Sequence, residues 1–67
     1  MFNNLKIEMV RARMNQGELA KAIGISYNAL SNKLRGKTEF TRSEMLAIKK
    51  ELGSRKPLEE LFDKEEA

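Results

Sequence analysis

Three glycines divide this sequence into short helical segments, and their spacing constrains the fold more than any other feature. Gly24, Gly36 and Gly53 each follow a run in which apolar residues recur every three or four positions. Glycine readily adopts the left-handed backbone conformation that ends many helices, so each glycine predicts a helix end. Only four glycines and one proline are present in all, too few for the many turns of a β-sandwich. The sequence therefore predicts an all-α fold.

Capping residues mark where three of these helices begin. Asn15-x-x-Glu18 and Thr41-x-x-Glu44 match the capping box, in which two side chains bond to each other's backbone N–H groups. Ser26 is a simpler cap, because its hydroxyl can accept from a free N–H group of the first turn. With the glycines, these caps predict helices over 16–23 and 27–35, and a further helix after Thr41 that ends at Gly53.

The two ends of the chain are less sharply marked. Apolar residues are dense from Leu5 to Met14, which predicts a broadly packed first helix capped by Asn3 or Asn4. Pro57 favours the first helical position of a short fifth helix, where its missing N–H is not needed. We expect residues 1–62 to form one domain and residues 63–67 to form an acidic flexible tail.

Charge and composition limit the classes of function that the protein can have. Residues 1–58 carry a net charge of +7 and residues 59–67 a net charge of −4. A basic body with an acidic end is typical of a polyanion-binding surface, although a merely solvated surface would carry the same charges. The 67 residues include no Cys and no His, which removes disulfides, the usual zinc ligands and the usual general base. We predict no enzyme activity, no metal and no cofactor.

The ends and the apolar runs also suggest a location. No apolar run approaches the roughly 20 residues of a membrane span, and the N-terminus lacks the basic-then-apolar layout of a secretory signal. We therefore expect a cytoplasmic protein without a membrane partner.

Residues 16–36 carry the strongest functional signal. Two short helices flank a tight turn at Gly24, and the small side chain of Ala20 lets the second helix cross the first closely. Ile23, Ile25 and Leu30 are placed to pack behind the turn. This spacing predicts a helix-turn-helix, whose second helix can enter the major groove of DNA.

At these residues the sequence resembles the Cro/repressor-type (XRE-like) helix-turn-helix family of phage and bacterial regulators. The resemblance rests on Gln16, Glu18-Leu19-Ala20, Ile23-Gly24-Ile25-Ser26, Leu30 and Gly36-Lys37. Ser31-x-Lys33-Leu34-x-Gly36-Lys37, followed by Phe40-Thr41-x-x-Glu44, is most similar to small Cro-like regulators of phages from Gram-positive hosts. It spans about residues 5–62 and implies a compact five-helix lambda-repressor-like domain. The implied function is a cytoplasmic, phage- or prophage-encoded transcriptional regulator, such as a repressor, that binds a palindromic operator.

Two positions depart from the family pattern. Many members carry a large apolar residue where Lys33 stands, and an acidic residue where Leu34 stands that pairs with an arginine of helix 1. The corresponding helix 1 residue here is Met9, so we predict an apolar Met9–Leu34 contact in place of the ion pair. The departures bear most on the roles of Lys33 and Arg35.

Helix 3 carries the predicted base contacts. Asn28 and Asn32 lie at i and i+4 on one face, and an asparagine amide can pair with adenine N6 and N7. Tyr27 can stack on a thymine methyl or bond a phosphate, and Ser31 lies on the flank. The alternatives are that the asparagines are merely tolerated on an exposed face and that the Tyr27 ring packs against a neighbour.

Other polar residues are predicted to contact phosphates. The resemblance implies that Gln16 bonds a backbone phosphate, where the dipole of helix 2 favours an anion; the alternative is a solvated residue. The cations near the end of helix 3 suit sequence-independent contacts, although each alone can be simply solvated. The predicted phosphate contacts are Gln16, Ser26, Lys33, Arg35, Lys37, Thr38 and Arg42.

The resemblance also implies a weak homodimer that DNA strengthens. Phe40 and the segment Lys56-Pro57-Leu58 are expected near its two-fold axis, and no small-molecule effector site is evident. A different class of function stays open, in which the same fold is a protein-interaction module such as an antitoxin or an anti-repressor. Retention on DNA, as opposed to co-purification with a stoichiometric protein, would separate the two.

Overall fold

The computed structural model describes residues 2–63, and within this range the chain is all-helical. The helices are α1 (Asn3–Arg11), α2 (Gln16–Ile23), α3 (Tyr27–Leu34), α4 (Arg42–Leu52) and α5 (Leu58–Leu61). The predicted fold class of five short helices is confirmed. None of these helices combines the length and the hydropathy needed to cross a bilayer.

Backbone hydrogen bonds at the helix starts confirm both predicted capping boxes. Asn15 Oδ1 accepts from the Glu18 N–H at 2.8 Å, and Glu18 Oε1 accepts from the Asn15 N–H at 3.0 Å. The Thr41 and Glu44 pair is arranged in the same way, and the Ser26 hydroxyl accepts from the Ala29 N–H at 3.0 Å. Local sequence therefore decides where α2, α3 and α4 begin.

The predicted boundaries of α1 and α5 are wrong in detail, and residues 64–67 of the predicted acidic tail lie outside the described residues. Helix α1 begins at Asn3, its N-cap is Phe2 without any side-chain cap bond, and it ends at Arg11. No asparagine caps it, because Phe2 is buried and fixes the entry of the chain by packing. Pro57 is the N-cap of α5 and not its first helical residue.

Each helix contributes one large, fully buried side chain to a common core. These side chains are Leu5, Leu19, Leu30, Ile48 and Leu61, one from each of α1 to α5 in order. Helix α2 packs against both α3 and α4, and α5 packs against both α1 and α4. Helix α3 is therefore held from behind by α2, and its outer face is left for solvent or a ligand.

An aromatic cluster closes one end of the core. The ring centroid of Phe40 lies 5.4 Å from that of Phe2 and 5.0 Å from that of Phe62. Both pairs are edge-to-face, an arrangement that the ring quadrupoles favour. Met9 and Leu34 are half-buried and both pack against the core. Their direct contact stays a prediction.

Candidate nucleic-acid interface

The outer face of α3 carries polar side chains that the protein itself does not use. Leu30 is fully buried and anchors the inner face, while Asn28 is exposed and Asn32 is half-buried one turn later. Neither asparagine side chain forms a hydrogen bond within residues 2–63. Ser31 is half-buried on the flank. These amides can thus offer a donor and an acceptor to another molecule.

Tyr27 stands where α3 meets the first turn of α2. Its side chain remains 57% exposed, yet a methyl group added at Gly17 would lie 3.8 Å from the ring. The ring therefore packs loosely beside α2 and still presents most of its surface outward. This position is compatible with a contact to DNA and also with packing of the ring against a neighbouring residue.

Gln16 is the first residue of α2 and carries an unsatisfied amide. Its Nε2 atom is buried and has no hydrogen-bond partner among the described residues. A buried polar group without a partner costs free energy, so turning this amide outward toward an acceptor on a ligand sacrifices no hydrogen bond. The neighbouring N–H groups of the first turn of α2 favour an anion at the same end of the helix.

Apart from Gln16 and Lys33, the predicted phosphate contacts are exposed and are basic or hydroxylated, and the acidic Glu39 is exposed among them. Arg35, Lys37, Thr38 and Arg42 are all exposed, as is Ser26, whose hydroxyl keeps its own proton available while it caps α3. They extend the polar surface from α3 to the start of α4.

Lys33 differs from the other predicted phosphate contacts. Its ammonium lies 3.1 Å from Glu44 Oε1 and donates to the Glu39 carbonyl at 3.0 Å. Its side chain is only 14% exposed. The pKa of Glu44 is held below its ordinary value by the Thr41 backbone N–H and by Lys33. The ammonium of Lys33 is thus bonded within the protein, which is not what a solvent-facing phosphate contact requires.

Comparison with known families identifies the arrangement. The family model of the Cro/C1-type helix-turn-helix DNA-binding domain matches residues 4–65. The chain belongs to this family. No curated protein and no solved structure gave a match. The family match spans all five helices and makes DNA the ligand of this domain, in agreement with the resemblance seen at residues 16–36.

The residues predicted at the dimer axis of this Cro/C1-type domain occupy different settings. Phe40 and Leu58 are half-buried, and Pro57 is exposed. A shallow groove lined in part by Met45, Leu58 and Phe62 runs between α4 and α5. An apolar surface of this kind is compatible with a contact between copies.

Lys56 instead forms an ion pair within the chain. Its ammonium lies 3.6 Å from Glu8 Oε2, and Arg11 lies 3.4 Å from the same oxygen. Glu8 is 6% exposed, and its pKa is lowered chiefly by a hydrogen bond from Ser54 and then by Lys56 and Arg11, against the effect of burial. Sequence reasoning missed this network. Its signal was an acidic residue at helical spacing from Leu5 and Ala12, on the face that packs inward.

Proposed function

We propose that this chain is a sequence-specific transcriptional regulator that inserts α3 into the major groove of double-stranded DNA. The observation that supports it best is the pair of unpartnered amides of Asn28 and Asn32 on the outer face of a helix held from behind by α2. Asparagine amides match the donor and acceptor edge of adenine in that groove. Tyr27 and Ser31 flank them and complete the proposed base-contacting surface.

The proposed phosphate contacts lie around this base-contacting surface. Gln16 lies at the N-terminus of α2, and its unsatisfied amide would donate to a phosphate oxygen there once the side chain turns outward. The remaining proposed contacts are the exposed Ser26, Arg35, Lys37, Thr38 and Arg42. Lys33 is left out of this set because its ammonium is bonded to Glu44 and Glu39.

We further propose that two copies bind a two-fold operator. Helix α3 has eight residues, and one such helix reaches too few base pairs for useful specificity, so two half-sites are needed. Phe40, Pro57 and Leu58 offer a small apolar surface for the contact, which suits a weak dimer strengthened on DNA. Repression in a bacterial cytoplasm and an origin in a phage or prophage stay predictions.

The operator can be found by selecting bound sequences from a random duplex pool. Footprinting of the most tightly bound sequence then locates the contacted bases. On that operator, Asn32→Ala is expected to cost roughly 1–3 kcal/mol, with a far smaller loss on random DNA. Lys37→Ala is expected to weaken both DNAs alike and to make the slope of log K against log salt shallower by about one.

Lys50→Ala is the matched control for Lys37. It removes the same charge from an exposed position on α4 and is expected to leave the salt slope nearly unchanged. Equal affinity of the parent protein for selected and random DNA would refute the proposal. Co-purification with a stoichiometric protein, together with no DNA preference, would favour the interaction module instead.

A further inference from the structure

The connection between α3 and α4 packs against the core at Phe40, and the rest of it is exposed to solvent. It spans residues 35–41, and residues 35–39 are all exposed. This connection carries Lys37 and Thr38, two of the proposed phosphate contacts. The Lys37 N–H donates to the Asn32 carbonyl at 2.9 Å, and Phe40 packs against the core. The path of Thr38 and Glu39 between these two points is therefore the part of the connection that a further contact can fix.

Lys33 reaches from the last turn of α3 to the far end of this connection. Its Nζ donates to the carbonyl of Glu39 at 3.0 Å and lies 3.1 Å from Glu44 Oε1. The same Oε1 accepts from the Thr41 N–H at 2.8 Å. One carboxylate oxygen therefore joins the cap of α4 to the recognition helix α3.

Partial burial makes the Lys33–Glu44 ion pair more rigid than an ordinary surface ion pair. The Lys33 and Glu44 side chains are 14% and 19% exposed, so water and salt screen the pair less than they screen exposed charges. Glu44 is also held by its own capping box, in which Thr41 Oγ1 accepts from the Glu44 N–H at 3.1 Å. The capping box therefore fixes the position of the Glu44 carboxylate independently of Lys33.

We propose that Lys33 and Glu44 are positioning residues, which hold the α3–α4 connection in register with α3. Lys37 and Thr38 then meet phosphates when Asn28 and Asn32 meet bases. The inference rests on the proposed function, and it gives Lys33 a role in DNA binding without any contact to DNA.

Glu44→Gln is the decisive variant, because a glutamine can still complete the capping box but no longer carries the charge that attracts Lys33. Removal of a negative charge by itself favours binding to a polyanion. Loss of the positioning contact lowers the affinity instead, and we expect operator affinity to fall by about tenfold.

Glu18→Gln is the matched control. It makes the same change in the capping box of α2, where Glu18 accepts from the Asn15 N–H and has no basic partner among residues 2–63. We expect its operator affinity to be unchanged or higher. Lys33→Met is expected to weaken binding as Glu44→Gln does, and combining the two is expected to add little further loss.

Salt dependence separates positioning from a general loss of stability. Lys37→Ala is expected to lower the salt slope by about one in the parent protein and by clearly less in the Lys33→Met background, where the contact to the Glu39 carbonyl no longer fixes the residues after Lys37. Thermal unfolding of each variant verifies folding. If Lys33→Met does not fold, Lys33→Gln replaces it in the same cycle, since it keeps a polar group but loses the charge.

Two results would overturn the proposal. One is a Glu44→Gln variant that binds the operator as the Glu18→Gln variant does. The other is a Lys33→Met variant that lowers the salt slope by one while Glu44→Gln tightens binding, since Lys33 would then contact a phosphate itself. The preference of the parent protein for selected over random DNA tests the proposed function separately.

Discussion

Replacing Arg13 with glycine is expected to stabilise this domain. Helices α1 to α4 end in the same hydrogen-bonded motif, in which a residue one or two positions past the helix takes a left-handed conformation. Gly24, Gly36 and Gly53 occupy this position after α2, α3 and α4. After α1 it is occupied by Arg13, with a φ of 56°. Arg13 is the only residue other than glycine with a positive φ in residues 2–63.

The size of the effect follows from the backbone. The left-handed conformation costs an L-residue about 1–2 kcal/mol, and glycine loses roughly 0.5–1 kcal/mol through the greater freedom of the unfolded chain. The Arg13 side chain is exposed and forms no hydrogen bond or ion pair in the described part of the chain, so its removal costs little else. The net gain is about 0.5–1 kcal/mol, or a rise in Tm of roughly 5 °C for a domain of this size.

Urea and thermal unfolding followed by circular dichroism measure this gain. Arg13→Ala is the control, because it removes the charge and the long side chain but keeps the Cβ atom, and it is expected to change stability little. Gly24→Ala is the converse variant. Its φ is 80° and no heavy atom lies within 4 Å of the added Cβ, so only backbone strain acts, with an expected loss of about 1 kcal/mol. A gain for Arg13→Ala equal to that for Arg13→Gly would refute the backbone explanation.

Two further predictions concern the caps and the buried acid. Ser26→Ala removes the acceptor of the Ala29 N–H and is expected to cost about 1 kcal/mol in urea unfolding, whereas Ser26→Asp should retain the cap; equal stability of all three proteins would contradict this. The pKa of Glu8 is lowered in the folded state, so its stabilisation is present above the ordinary value of 4.5 and is lost as the pH falls through the folded pKa. Glu8→Gln is therefore expected to be less stable than the parent at pH 7 and to lose less stability in acid, and parallel stability curves in a pH series of urea unfolding would argue against it.

The elements that the sequence predicts correctly are those that local interactions decide. A capping box joins residues three apart, and a glycine past the helix end acts on its own turn, so α2 and α4 begin and end where their residues predict. Helix α3 ends at Leu34, one residue before the predicted end. Helix α1 departed most from its predicted range because its start depends on Phe2, which is held by Phe40 and Phe62 from distant parts of the chain.

Sequence alone determined the all-α class, the helix-turn-helix at 16–36 and the polar face shared by Asn28 and Asn32, because helical periodicity and capping are read within one or two turns. Only the tertiary structure decided which charges are used inside the protein. Glu8 and Lys56 are 48 positions apart and Lys33 and Glu44 are 11 apart, yet packing brings each pair within 4 Å. The same basic residue type is therefore exposed at Lys37 and bonded internally at Lys33, because an ion pair depends on which helices meet in space and not on residue type or local spacing.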